Sequence, residues 1–479
     1  RFFLIMKNKL PNITTDFSSW YNDVVYRSDL ADTAPVRGCI VIRPYGCQIW
    51  ESIKTILDKK IKDTDHENIM LPLLIPESFL RKEAEHIEGF APELAVVTHA
   101  GGKKLEESLV IRPTSETMMY HMFSRWIKSW RDLPLKLNQW CSVVRWEKRP
   151  RPFLRTSEFF WQEGHTAHAT EQEAHDEALL MLDQYIDLIQ NYLAIPVIKG
   201  EKPESEKFAG AKNTYTMEAI MPDGKALQMG TSHHIQQSFG KAFDIAYQDK
   251  DGKLATPHFT SWGATTRLIG ALIMTHGDQK GLILPPKVAP IQVVIIPIIK
   301  ANQDNQAVLE EAQKIYSELK QSGIRVKLDL DATQTPGAKF YNWELKGVPV
   351  RIELGARDLE SQSVTIANRL TCKKESIALT EISHMISKTL DDTQQALFQR
   401  AEARNQELTK RGNKLAEWGP ILNKENGAYI VGWCQSDACE DKLKSCKATI
   451  RCLIATNESP ECFACTKKSL GDIVVAKAY

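Results

Sequence analysis

No apolar stretch of this chain is long enough to cross a bilayer: the longest, Val293 to Ile299, is broken by Pro297, whereas a spanning helix needs about 20 residues. The chain also has almost no net charge, with 61 Lys and Arg against 60 Asp and Glu. Any nucleic-acid surface must therefore come from local clusters of cations rather than from a basic average. There is no internal repeat and no low-complexity tract. The opening Arg1-Phe-Phe-Leu-Ile-Met6 has neither a long apolar core nor a small-residue cleavage site, so a secretory leader is not expected and a cytoplasmic location is. What remains is ordinary globular composition, 43% hydrophobic and 25% charged over 479 residues, which suits two to four domains.

Chemistry is concentrated in short strings far apart in the chain. Residues 112–116 read Arg-Pro-Thr-Ser-Glu, and 145–147 read Arg-Trp-Glu before the basic loop Lys148-Arg149-Pro150-Arg151. Residues 155–165 read Arg-Thr-Ser-Glu-Phe-Phe-Trp-Gln-Glu-Gly-His, 230–234 Gly-Thr-Ser-His-His, and 260–267 Thr-Ser-Trp-Gly-Ala-Thr-Thr-Arg. Arginine offers a planar fork that keeps its charge, which suits polyphosphate. Carboxylates with hydroxyls suit an ammonium, and aromatic walls suit a small ring. All three requirements are present together.

In this order the strings resemble the signature motifs of the class II aminoacyl-tRNA synthetases, and more narrowly the prolyl-tRNA synthetases of the archaeal and eukaryotic type. The resemblance runs from about residue 12 to Tyr479. It implies an α+β protein: a class II antiparallel-sheet catalytic core (1–285), an α/β anticodon-binding domain (286–385) and a small α/β Cys-rich zinc-binding domain (386–479). A synthetase for threonine, serine or glycine fits Trp161-Gln-Glu-Gly-His165 less well. A non-catalytic relative would ordinarily have lost Arg145 and Arg267.

Local patterns agree with that plan. Residues 46–63 carry helical spacing (Ile49, Ile53, Ile56, Leu57, Ile61), followed by an expected strand from Asn68 to Ile75 that contains Pro72. Together they resemble the motif that builds the family's dimer interface, so a homodimer is expected. From Thr170 to Ile195 a long amphipathic helix is expected, with Thr170 and Glu173 as a capping pair and Pro196 as its stop. Leu284-Pro-Pro-Lys-Val-Ala-Pro290 reads as a stiff linker. Beyond it the chain alternates strand 291–299, helix 304–322, strand 324–330, helix 335–346 and strands 349–354 and 363–368, an α/β signature.

The resemblance assigns roles residue by residue. Arg145 bridges the α-phosphate of ATP and the substrate carboxylate, Glu147 meets the adenine amine, Arg155 is a further phosphate ligand, and Arg267 holds the γ-phosphate. Gln228 and Thr231 belong to the nucleotide site, with Mg²⁺ carried mainly by ATP and water. Thr114, Glu116 and Glu163 are expected to take the proline ammonium. Trp161, His165 and Phe208 enclose its ring, and Thr231, His233, Ser261 and Gly263 complete the wall. About a hundred residues separate Glu163 from Arg267, too few for the family's editing insertion, so editing in cis is expected to be absent.

Phe340-Tyr-Asn-Trp-Glu344-Leu-Lys-Gly-Val-Pro-Val-Arg351 and Glu353-Leu-Gly-Ala-Arg-Asp358 resemble the face that reads a proline anticodon. Glu344, Arg351 and Arg357 are the candidates for base edges, and Lys339 for a phosphate. Six of the ten cysteines fall between residues 434 and 465, which in a cytosolic protein favours a metal over disulfides. Cys462-Phe-Ala-Cys465 is a zinc half-site by spacing. By resemblance Cys434 and Cys439 are its partner half, with disulfides or ligation through Cys446 and Cys452 left open. The resemblance also places the C-terminal carboxylate of Tyr479 back near the catalytic domain.

Overall fold

The computed structural model describes residues 9–81, 94–299 and 304–479; the opening Arg1–Met6 lies outside them. The helix expected at 46–63 runs Pro44–Lys62, with Pro44 in the first turn, where its missing N–H costs nothing. Ile49, Ile53, Leu57 and Ile61 form its buried stripe. The strand expected from Asn68 to Ile75 is instead two fragments, Glu67–Asn68 and Leu74–Pro76. Pro72 cannot donate to a ladder, and side chains satisfy the gap. The Arg112 guanidinium donates to the carbonyl of Leu71 at 2.8 Å, and the Leu71 N–H donates to Gln139.

The frame of the molecule is one eleven-stranded sheet. In chain order its strands are β1 (Glu67–Asn68), β2 (Leu135–Val144), β3 (Glu158–His168), β4 (Ile198–Glu201), β5 (Ala211–Ile220), β6 (Ala226–Ile235), β7 (His258–Thr265), β8 (Thr409–Arg411), β9 (Ala428–Trp433), β10 (Thr449–Leu453) and β11 (Gly471–Ala476). Across the sheet the order is β8-β9-β11-β10-β4-β5-β6-β7-β3-β2-β1. From β2 to β4 every pairing is antiparallel. The sheet passes into the C-terminal strands through one residue pair, Leu453 with Glu201.

Two helices cover one face. Glu171–Asp187 begins at the expected box: the Glu173 N–H donates to Thr170 Oγ1 and the Thr170 N–H to the Glu173 carboxylate. Its stripe of Ala174, Ala178, Met181, Leu182 and Tyr185 is buried, and Ser232 of β6 donates to its Ala178 carbonyl at 2.6 Å. Arg267–His276 is buried from Leu268 to His276, so its last carbonyls need partners. Arg404 and Arg400, on the long helix Ile382–Leu408, donate to the carbonyls of Thr275 (3.0 Å) and His276 (2.7 Å).

A second, five-stranded sheet follows the Pro-rich segment. Strands Val326–Leu328, Val293–Pro297 and Val350–Leu354 are parallel, and Ser363–Asn368 and Lys374–Ala378 add antiparallel. Helices Gln306–Gln321 and Pro336–Leu345 match the predicted alternation; the fifth strand is an addition. The Pro-rich segment is clamped, with Arg325 donating to the carbonyls of Ala289 and Pro286 at 2.8 and 2.6 Å. Arg369 forks onto Asp278 at 2.8 and 2.6 Å, fastening the second sheet to the part that precedes it. No described helix is long and apolar enough to cross a membrane.

Candidate active site

Sheet register builds the site. Side chains two residues apart on a strand share a face, so Trp161, Glu163 and His165 of β3 point together. His165 lies opposite Ser261, Ser261 opposite His233, and His233 opposite Thr214. One step along, Glu163 faces Gly263, Gly263 faces Thr231, and Thr231 faces Thr216. Apart from Thr216, the two rows floor a cavity of about 450 Å³, walled also by Thr114, Glu116, Arg145, Glu147, Arg155, Phe208, Gln228 and Arg267. Every residue chosen from the sequence for proline or ATP therefore lines one cavity. Gly164 has a packing reason: a side chain there would strike the Trp262 ring, about 2.1 Å from its Cβ position.

At one end lies an anionic pocket. Glu163 accepts from the Ser115 N–H (3.0 Å), from Gln139 (2.9 Å) and from Thr114 (3.4 Å), and His165 Nε2 is 3.2 Å away. Burial would raise the Glu163 pKa, but the His165 charge and these donors hold it at about 2. Burial works against the charge of His165 too, and Glu163 with Glu116 raises its pKa nonetheless. His233 differs. Burial lowers it to about 4, so it is neutral, seated between Thr214 and Thr231 hydroxyls at 3.1 and 3.0 Å. Phe208 stacks on its ring at 4.5 Å. Ser261 Oγ and His165 Nδ1 are buried without a protein partner, and both residues line the cavity.

At the other end lies a cationic pocket. Arg145 donates to the Pro113 carbonyl at 3.0 Å and its guanidinium lies 5.3 Å from the Trp161 ring. Arg267 donates to the carbonyls of Leu154 (3.3 Å) and Gln228 (3.2 Å). Burial, then the nearby charges of Arg155 and Arg145, lower the Arg267 pKa to about 10. Mutual repulsion of this kind is relieved by a polyanion. Arg155 is half-exposed and pairs with Glu147 at 3.4 Å.

Of the anticodon candidates, Glu344 and Arg351 share a cavity of about 180 Å³ with Lys280, Trp343, Arg369 and Lys374. Arg351 is held by Glu353 (3.0 and 2.8 Å) and lies 4.2 Å from the Phe340 ring; Glu344 pairs with Lys280 at 3.0 Å. Lys339, expected to meet a phosphate, is only 5% exposed. Its ammonium pairs with the Asp329 carboxylate at 3.1 Å and donates to the Asp329 carbonyl at 3.0 Å. That position corrects the expectation: the charge is spent inside the domain. Arg357 lies on the short helix Ala356–Glu360, outside this cavity.

Comparison with known proteins fits this geometry. Residues 98–276 match the model of the tRNA synthetase class II core domain (G, H, P, S and T), and 292–389 that of the anticodon binding domain. Residues 415–479 match the C-terminal domain model of prolyl-tRNA synthetase. The chain is 50% identical over 474 residues to proline–tRNA ligase 2 of Clostridioides difficile (strain 630), covering 98% of each. It is 52% identical over 452 residues to the proline–tRNA ligase of Natranaerobius thermophilus, covering 94% of this chain and 93% of that one. The chain belongs to the prolyl-tRNA synthetase family. A crystal structure of the prolyl-tRNA synthetase from Cryptosporidium parvum, complexed with halofuginone and AMPPNP, superimposes with a TM-score of 0.94 at 40% identity, covering 98% of this chain and 99% of that one.

The family's C-terminal part holds the cysteine cluster. The sulfurs of Cys434, Cys439, Cys462 and Cys465 lie within 4.8 Å of one another, with Cys434 3.7 Å from Cys439 and 3.8 Å from Cys465. Four thiolates about 2.3 Å from a tetrahedral ion stand about 3.8 Å apart, so this set can hold a metal. Cys446 turns away to the Leu443 carbonyl, and all ten cysteines are free. Burial would raise the Cys462 pKa, but backbone N–H groups, Ala464 first, lower it to about 7. Tyr479 also returns to the catalytic part, its N–H donating to the Ala226 carbonyl and its ring 5.3 Å from Arg151.

Lys202 and Glu206 also line the active-site cavity, and neither was singled out from sequence. The available signal was Thr214, Thr216 and Glu218, polar residues at every second position of β5.

Proposed function

We infer that this chain is a proline–tRNA ligase: it activates L-proline with MgATP to prolyl-adenylate, releasing pyrophosphate, then transfers the prolyl group to the 3′ end of proline tRNA. The observation that carries this reading is the single cavity with a carboxylate–hydroxyl pocket at one end and three arginines at the other. The proline carboxylate is already ionised and attacks the α-phosphorus itself, so the chemistry needs orientation and charge neutralisation rather than a side-chain base. Arg145 is assigned to the α-phosphate and the carboxylate, Arg267 to the γ-phosphate, and Arg155, Glu147, Gln228 and Thr231 to the rest of the nucleotide. Thr114, Glu116 and Glu163 take the ammonium, with Trp161, His165, Phe208, His233, Ser261 and Gly263 around the ring. Pyrophosphate exchange tested with each amino acid checks this. Proline should drive it best, alanine and cysteine weakly. Exchange driven by threonine, serine or glycine in preference to proline overturns it.

The same reading assigns domains at 1–285, 286–385 and 386–479, Glu344, Arg351 and Arg357 to the anticodon, and a structural zinc to Cys434, Cys439, Cys462 and Cys465. A zinc with four thiolates has no open position and would brace the local fold. Residues between Glu163 and Arg267 are used up by the helix Glu171–Asp187 and β4–β7, which supports a ligase without cis-editing. A homodimer is supported by apolar side chains left exposed around the motif-like segment, with Met70 95% and Val96 49% exposed. A cytoplasmic site of action accords with the substrates.

A further inference from the structure

The C-terminal part sends one side chain to the wall of the active-site cavity. Arg451 of β10 is 6% exposed and Glu218 of β5 is fully buried. The Arg451 fork donates to both Glu218 oxygens, with Nε at 3.2 Å and a terminal nitrogen at 3.1 and 3.3 Å. Its other nitrogen holds the Thr449 hydroxyl at 2.9 Å and lies 3.6 Å from Glu206. Lys202, 4% exposed, donates to Glu218 at 2.9 Å and to Glu206 at 3.1 Å, and the Thr216 hydroxyl donates to Glu218 at 3.1 Å. Two carboxylates and two cations thus cancel here, Glu206 alone of the four being partly exposed. The backbones meet here as well: a side chain at Gly200 would lie about 2.4 Å from the Leu453 carbonyl oxygen.

The cluster sits at the nucleotide end. Glu218 is the register partner of Gln228, whose carbonyl holds Arg267. The charges of Glu218 and Arg451 both act on Arg267, and Lys202 and Glu206 line the cavity themselves. We propose that Arg451 is a positioning residue for adenylate formation: it neutralises Glu218 so that Glu218 and Lys202 hold the 202–206 segment in place and leave the arginine pocket net positive for the ATP phosphates. Removing its charge leaves two carboxylates against one ammonium, and the surplus negative charge opposes nucleotide binding. The inference rests on the adenylation reading above.

The test is proline-dependent pyrophosphate exchange by the full-length enzyme, with KM for ATP and for proline measured separately. Arg451→Met should raise KM for ATP about tenfold, the effect of one charge at an intermediate effective dielectric, and shift KM for proline less than about twofold. Glu218→Gln added to it restores the balance of charge, and KM for ATP should return to within about threefold of wild type. A merely structural role predicts the reverse, a double variant worse than either single one. Arg451→Lys keeps the charge without the fork, so its KM for ATP should stay near wild type even if Arg451→Met does not fold. The proposal is overturned by an unchanged KM for ATP in Arg451→Met, by no rescue in the double variant, or by a tenfold rise in Arg451→Lys. Wild-type enzyme that exchanges no pyrophosphate with proline overturns the adenylation reading instead.

Discussion

Glu163 and His165 stand two residues apart on one strand, and His165 Nε2 lies 3.2 Å from a Glu163 oxygen, both side chains almost wholly buried. Each holds the other charged. Glu163 falls from 4.5 to about 2, so its contribution to stability is complete above about 4.5 and fades as pH drops toward 2. His165 is raised above 6.5, so its contribution is complete below 6.5 and fades as pH rises through its folded value. The two overlap between about 4.5 and 6.5. The difference in urea midpoint between wild type and Glu163→Gln should therefore be largest in that window and shrink on both sides. A difference that stays flat from about pH 3 to 8 would falsify the coupling.

Arg145 and Arg267 are anchored through backbone carbonyls, and among the described residues no carboxylate pairs with Arg267. Both side chains line the cavity, and the Arg267 charge is left for what binds there. Arg145→Ala and Arg267→Ala should each lower proline-dependent exchange about a hundred- to thousandfold, or about 2.7–4 kcal/mol. Thermal melts should show both variants still folded. Near-normal exchange in either variant removes it from the phosphate site.

Much of the site could be read in the sequence because its residues sit at strand spacing within short strings. Trp161, Glu163 and His165 alternate on one strand, and Ser261 and Gly263 on its neighbour, so period two alone puts them on one face. The helix expected at 170–195 passes at Asp187 into the π turn Leu188–Tyr192 and ends short of Ile195, but it and the helix expected at 46–63 were legible from apolar stripes and a cap. The 69–73 gap was not, because Arg112 and Gln139 satisfy that backbone from elsewhere. Nor was the Arg451 cluster, whose members lie up to 249 positions apart, from Lys202 to Arg451, and belong to residue types that are ordinarily solvated. Lys339 was misplaced for the mirror reason: a lysine in a charged string reads as exposed, and Asp329 buries it.

The cysteine cluster gives a prediction independent of catalysis. The purified protein should carry about one zinc per chain, and Cys462→Ser should lose it, since Cys462 has the thiol already eased toward thiolate. Cys446→Ser should keep its metal, because that sulfur is bonded to the Leu443 carbonyl outside the cluster. Metal retained in Cys462→Ser, or metal lost in Cys446→Ser, would move the site elsewhere. Mass spectrometry finding disulfides among the four would replace a metal with cross-links.

The second sheet allows activation and tRNA reading to be separated. Glu344 and Arg351 line their own cavity beyond the clamped Pro-rich segment, and neither is among the residues around the active site. Arg351 donates its fork to Glu353 at 3.0 and 2.8 Å, and Lys374 also holds Glu353, at 2.8 Å. Removing Arg351 therefore leaves Glu353 paired, and the domain should stay folded. Arg351→Ala should leave proline-dependent exchange without tRNA unchanged. Charging of proline tRNA should weaken by about 1–3 kcal/mol, the worth of one bidentate base contact. Lys339→Ala should behave differently, lowering the melting temperature because the largely buried Asp329 carboxylate would lose its cation while keeping the Trp343 N–H at 2.7 Å. If exchange and charging collapse together in Arg351→Ala, the two sheets are coupled and the separation fails.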